Sequence, residues 1–127
     1  MIAVDTSALM AILLREQAAE ACMTALQAED DLIISAATVA EALIVAARRN
    51  VRDEMERLIA ELGFRIVDVT PAVAHRVAQA YEMWGKGRHP AALNFGDCFA
   101  YELAKDHGSR LLYTGNGFAR TDVRAAL

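Results

Sequence analysis

The chain has 127 residues, 55% of them hydrophobic, enough for one domain with a buried core and too few for two. A formal net charge of -4 and a pI near 5.3 exclude a protein whose whole surface attracts polyanions, so nucleic-acid binding would have to rest on a local basic patch. The only cysteines, Cys22 and Cys98, form no paired spacing of a zinc site or disulfide framework and suit a reducing, cytoplasmic setting.

Met1 to Leu14 contains Asp5 and lacks the basic start of a signal peptide, while Leu32 to Ala47 contains Glu41. Neither reaches the roughly 20 apolar residues of a membrane span, so a soluble protein with no membrane partner is expected.

Ile2 to Val4 is a short apolar run ending at an acid. Ser7 and then Ala8, Leu9, Ile12 and Leu13 at helical spacing follow, which predicts a strand feeding a helix. A second helix is predicted over Glu16 to Ala28, then a strand at Leu32-Ile33-Ile34, with Ser35 capping a long helix through Arg49. Arg52 to Glu61 carries charges on one side and Met55, Leu58, Ile59 and Leu62 on the other, and Gly63 ends it. Arg65 to Val69 reads as a third strand.

Thr70-Pro71 starts a helix that continues to about Trp84, where the Gly85-Lys86-Gly87-Arg88-His89-Pro90 segment breaks it. Asn94 caps the next helix, which runs to His107 and Gly108, and Arg110 to Tyr113 is the fourth strand before a Thr-Gly-Asn-Gly turn. Arg120 to Leu127 receives no assignment. Alternating strands and helices predict an α/β fold, one domain over residues 1–127, with a central parallel sheet of about four to five strands flanked by helices.

The acids carry the functional signal. Asp5 is the only charged residue from Met1 to Leu14 and Glu41 the only one from Leu32 to Ala47, and Asp97 is the lone acid from His89 to Tyr101. An ionised carboxylate in dry surroundings is costly unless it pairs, binds a cation or takes up a proton. Asp5 would end the first strand, Glu41 would lie in the second turn of one helix and Asp97 in the first turn of another, all placed to converge at the carboxyl ends of parallel strands. Self-repelling carboxylates there suit Mg2+ or Mn2+. The plain alternative is that each acid caps a helix or pairs with an arginine. Asp68 is also a lone acid, read as flanking the helix at Pro71, and Asp53, Glu54, Glu56 and Glu61 form a solvated face. His75 and His107 lack a second histidine at ligand spacing.

Three stretches match a known pattern: Ile2-Ala3-Val4-Asp5-Thr6-Ser7-Ala8, Ser35-Ala36-Ala37-Thr38-Val39-Ala40-Glu41, and the run from Gly85 to Tyr101 through Asn94-Phe95-Gly96-Asp97. With Leu111 to Phe118 and Thr121-Asp122-Val123, the sequence resembles, nearly end to end, the PIN-domain VapC-type toxins of prokaryotic toxin–antitoxin modules. The resemblance implies a PIN-like fold and a Mg2+ or Mn2+ site that cleaves structured RNA, often tRNA or rRNA. It implies Asp5 and Asp97 as metal ligands, with Glu41 as the third catalytic acid. It further implies a homodimer and a cognate VapB-type antitoxin that lays a basic segment across the acidic site.

The family usually places a fourth acid after the last core strand, where this chain has Asn116 and Gly117. Thr6, Asn116 and Asp122 are the candidate supporting residues. Lys86, Arg88 and His89, in the glycine-broken loop ahead of Asp97, are candidates to hold an RNA backbone, against the reading of a solvated turn. Arg48, Arg49 and Arg52 extend that surface or serve their helix ends. The competing function is an inactive PIN-like module that mainly binds a basic antitoxin segment. Phosphoaspartate hydrolases would want a second aspartate where Ser7 stands, and aspartic proteases glycine there and an all-β chain.

Overall fold

A computed structural model describes Met1 to Leu127. Its strands are Ile2–Val4 (β1), Leu32–Ser35 (β2), Arg65–Val67 (β3) and Arg110–Leu112 (β4). The helices are Thr6–Leu13 (α1), Ala19–Gln27 (α2), Ala36–Arg48 (α3), Arg52–Leu62 (α4), Pro71–Trp84 (α5) and Phe95–His107 (α6). The strands pair in parallel in the order β3-β2-β1-β4.

Side chains alternate along each strand, so successive residues enter different cores. Ile2, Val4, Leu32, Ile34 and Leu112 pack with residues of α1 to α4, including Leu9, Leu26, Ala42 and Met55. Ala3, Ile33 and Leu111 pack on the other face with Val77, Leu93, Cys98 and Leu103 from α5, α6 and the loop between them. Being covered on both faces is what makes these strands read as unbroken apolar runs. No helix is long and apolar enough to cross a membrane.

Several boundaries differ from expectation, most of them by a single residue. Helix α2 begins at Ala19 instead of Glu16, because Arg15 adopts a left-handed φ of 54° that stops α1, and Glu16 serves as a turn acceptor for the Ala19 N–H. Strand β3 ends at Val67, before the extended lead-in to Thr70, whose Oγ1 accepts from the Val73 N–H. Strand β4 stops at Leu112, one residue before Tyr113. The C-terminal tail joins the sheet edge: the Leu111 N–H donates to the Arg124 carbonyl at 2.8 Å, and the Ala126 N–H to the Leu111 carbonyl at 2.9 Å.

From β1 the chain winds outward to β2 and β3, then returns to place β4 on the other side of β1. That reversal opens a crevice at the carboxyl ends of β1 and β4, where open α/β sheets bind ligands.

Candidate active site

Asp5 follows β1 directly, and its N–H donates to the Leu112 carbonyl of β4 at 3.0 Å. It is also the N-cap of α1, with Oδ2 accepting from the Ser7 N–H at 3.0 Å. The residue is only 3% exposed, and Oδ1 is buried with no hydrogen-bond partner. Ser7 Oγ accepts from the Thr114 N–H at 3.0 Å, tying the loop after β4 to the start of α1.

Asp97 belongs to a reciprocal cap on α6. Its N–H donates to Asn94 Oδ1 at 2.8 Å, and its Oδ2 accepts from the Asn94 N–H at 2.9 Å. Glu41 projects from the second turn of α3, and its Oε1 accepts from the Thr6 hydroxyl at 2.6 Å. The plain reading of the lone acids therefore holds for Asp5 and Asp97, which do cap helices, and in both it occupies one carboxylate oxygen only. Each of the three carboxylates is held through one oxygen, which fixes its orientation and leaves the other oxygen free of hydrogen bonds.

Burial raises the Asp5 carboxyl from its usual value to about 7 despite the Ser7 hydrogen bonds, and Asp97 and Glu41 add to the rise. Burial also raises Glu41, opposed by the Thr6 hydrogen bond and reinforced by Asp97, and it raises Asp97 against the Asn94 hydrogen bond. No lysine or arginine offsets any of them. Three carboxylates within electrostatic reach, an orphaned buried oxygen and no counter-cation are a site with unmet demand for positive charge. No three acidic, histidine or cysteine side chains form a complete metal cage. Mg2+ requires none, since it keeps several waters and binds through one or two carboxylates, so the residues present fit such an ion.

The remaining predicted residues divide. Thr6 reaches Glu41, and Asn116 is exposed on the loop that follows β4. Asp122 is engaged elsewhere, accepting from the Tyr101 hydroxyl at 2.6 Å and Lys105 Nζ at 3.2 Å, which hold its carboxyl below the usual range. Lys86 and Arg88 are exposed and pair with no carboxylate. His89 serves the loop: Nδ1 accepts from the Ala91 N–H at 3.0 Å, and its ring stands edge-on to Trp84 at 4.7 Å. Bonds between Lys86 and Leu93 and between Leu93 and Trp84 close this loop just ahead of Asn94. Asp68 is exposed beside the edge strand, so its isolation among apolar residues reflects no burial. Sequence reasoning gave no site role to Ser7, whose contact appears only once β4 lies beside β1, or to Gly96.

Beside Glu41 lies an apolar groove of about 590 Å³ that includes Ile44, Val69, Phe95 and Phe99. Phe95 is 73% exposed and Ile44 55%.

Residues 2–124 match the family model of the PIN domain. Ribonuclease VapC36 of Mycobacterium tuberculosis is 41% identical over 124 residues, covering 94% of this chain and 89% of that protein. Among solved structures, VapC20 of Mycobacterium tuberculosis, a sarcin-ricin loop cleaving toxin, has a TM-score of 0.74 at 18% identity, covering 97% of this chain and 96% of that one. A chain in a toxin–antitoxin complex from Klebsiella pneumoniae has a TM-score of 0.70 at 19% identity, covering 96% and 93%. These two structures establish the fold.

Proposed function

Because the chain belongs to the PIN-domain family, and within it to the VapC-type ribonucleases, we propose that it is a divalent-metal-dependent endoribonuclease toxin acting in the cytoplasm on structured RNA such as tRNA or rRNA. The observation that carries this reading is the Asp5, Glu41 and Asp97 set, uncompensated by any cation at the strand-switch crevice. Asp5 and Asp97 would hold Mg2+, or Mn2+ in its place, through the oxygens their caps leave free. An ion bound there would supply Lewis acidity toward the scissile phosphate and lower the pKa of a water.

Glu41 would orient the attacking water and accept its proton, a task suited to a carboxyl whose proton affinity burial has raised. Thr6 keeps the Glu41 carboxylate from turning away. The water oxygen attacks phosphorus in line, the P–O3′ bond breaks, and the leaving oxygen takes up a proton, giving a 3′-hydroxyl and a 5′-phosphate. Purified protein given total cellular RNA with Mg2+ or Mn2+ is expected to yield discrete fragments that vanish with chelator; a folded, metal-loaded protein that cuts nothing overturns the reading.

Lys86 and Arg88, exposed in the loop that closes ahead of Asn94, would hold phosphates of the RNA backbone. Replacing both with alanine is expected to raise KM for RNA several-fold with kcat little changed, and to flatten the salt dependence of binding by about 0.7–0.9 in log–log slope per lost contact. An unchanged slope returns the loop to a solvated turn.

A cognate VapB-type antitoxin is the protein partner, its basic segment competing for the same free carboxylate oxygens. Asn116, standing where the family resemblance implies a fourth acid, would offer the site a carbonyl oxygen and no charge. The groove around Phe95 and Ile44 is the proposed homodimer surface, since exposed aromatic and aliphatic groups side by side mark an interaction site. Phe95→Asp is expected to halve the mass measured by light scattering; a wild type already at single-chain mass removes the dimer.

A further inference from the structure

We propose that Gly96 is a positioning residue for Glu41: the missing side chain at position 96 is what lets the Glu41 carboxylate lie over the first turn of α6, beside Asp97. The inference rests on the role given to Glu41 above.

Gly96 is the second residue of α6, between the Asn94 cap and Asp97. Gly63, Gly87, Gly108 and Gly115 all have positive φ and open space where a Cβ would stand, so glycine serves those positions by its backbone freedom. Gly96 is the reverse. Its φ lies outside the left-handed range, and a Cβ built there would overlap Glu41 Oε2 and stand 2.9 Å from Oε1. The three nearest atoms all belong to the Glu41 carboxyl group. A helical glycine forgoes up to about 1 kcal/mol relative to alanine, a cost the local backbone gives no reason to bear.

Glu41 is the flexible end of this contact and α6 the rigid one. An added methyl is therefore relieved by displacing the carboxylate, which breaks its 2.6 Å bond from Thr6, rather than by separating α3 from α6. Gly96→Ala should leave the fold intact while misplacing the group that handles the water. Misplacement by about 1 Å costs on the order of a hundredfold in rate.

The test joins a crystal structure of Gly96→Ala with melting curves and RNA-cleavage kinetics. Expected are a Glu41 carboxylate moved off Thr6, an unchanged or higher Tm, a kcat lower by about tenfold or more and an unchanged KM. Glu41→Asp, shorter by one methylene, should cost activity when Gly96 is kept, yet restore part of it when combined with Gly96→Ala. Wild-type kcat in Gly96→Ala, a Tm that falls with activity, additive costs in the double variant, or Glu41 still bonded to Thr6 across displaced helices would each overturn the proposal. Glu41→Gln with full activity in the Gly96 background would instead remove the role of Glu41. If the wild type cleaves no RNA, the ribonuclease reading fails while the crystal structure still decides the geometry.

Discussion

Asp5→Asn is expected to abolish metal-dependent RNA cleavage while making the metal-free protein more stable. The loss should exceed the 10–100-fold typical of groups that only support a metal ligand, because Asp5 Oδ1 is buried and free and would bind directly. The gain follows from the carboxyl being raised from 3.8 to about 7, chiefly by burial. The folded-state value lies above the unfolded one. The contribution of this group to stability is therefore complete below about pH 3.8 and is lost as pH rises through about 7. The shift corresponds to on the order of 4 kcal/mol above that window. Asparagine recovers only part of it, since its amide is buried as well, so a Tm rise of about 5 °C is expected near pH 8, shrinking to nothing near pH 4. Added Mg2+ should raise the Tm of the wild type and not of the variant. Equal melting at pH 8, or a variant that still cleaves, would sink the assignment of Asp5.

The second large effect is expected at Asp97, where capping and the proposed metal binding use different oxygens. Asp97→Asn keeps an oxygen to accept from the Asn94 N–H and should hold Tm or raise it slightly, since burial raises this carboxyl as well, while lowering cleavage by about a hundredfold or more. Asp97→Ala removes both functions and should cost about 1 kcal/mol beyond the loss of activity. Asn94→Ala leaves the carboxylate in place but frees it to rotate, so cleavage should fall by about 10–100-fold together with a capping loss of about 1 kcal/mol. Asp97→Asn with wild-type cleavage would make Asp97 a cap and nothing more.

Much of the fold was legible because local patterns and tertiary demands agree. Thr70-Pro71, Asn94 and Ser35 cap α5, α6 and α3 through side-chain bonds to nearby backbone amides, and such bonds are written in a few adjacent residues. Strand ends were less legible. Arg65 to Val69 reads as five strand residues on the strength of Ile66, Val67 and Val69, yet only Arg65–Val67 pair, because where pairing stops depends on the neighbouring strand and on the extended approach to Thr70. The tail was unreadable for the same reason: Arg124 and Ala126 bond to Leu111, and nothing in Arg120 to Leu127 announces a sheet edge.

The candidate site was legible in its members and not in its arrangement. Asp5, Glu41 and Asp97 stand out as lone acids, but so does Asp68, and exposure separates it from them. His89 reads in sequence as part of a phosphate-binding loop, whereas its ring packs on Trp84 and bonds to Ala91. Asp122, close in sequence to the last strand, is held by Tyr101 and Lys105.

By itself the sequence determined which acids stand alone among apolar neighbours along the chain, because periodicity and composition are local, but not which of them are buried, where an ionised group becomes costly. Only the tertiary structure decided that three such acids come within electrostatic reach of one another with no lysine or arginine to offset them, that each keeps one oxygen unbonded, and that Gly96 makes room for Glu41. Those facts depend on the strand order β3-β2-β1-β4 and the approach of α3 to α6, which bring together groups far apart along the chain.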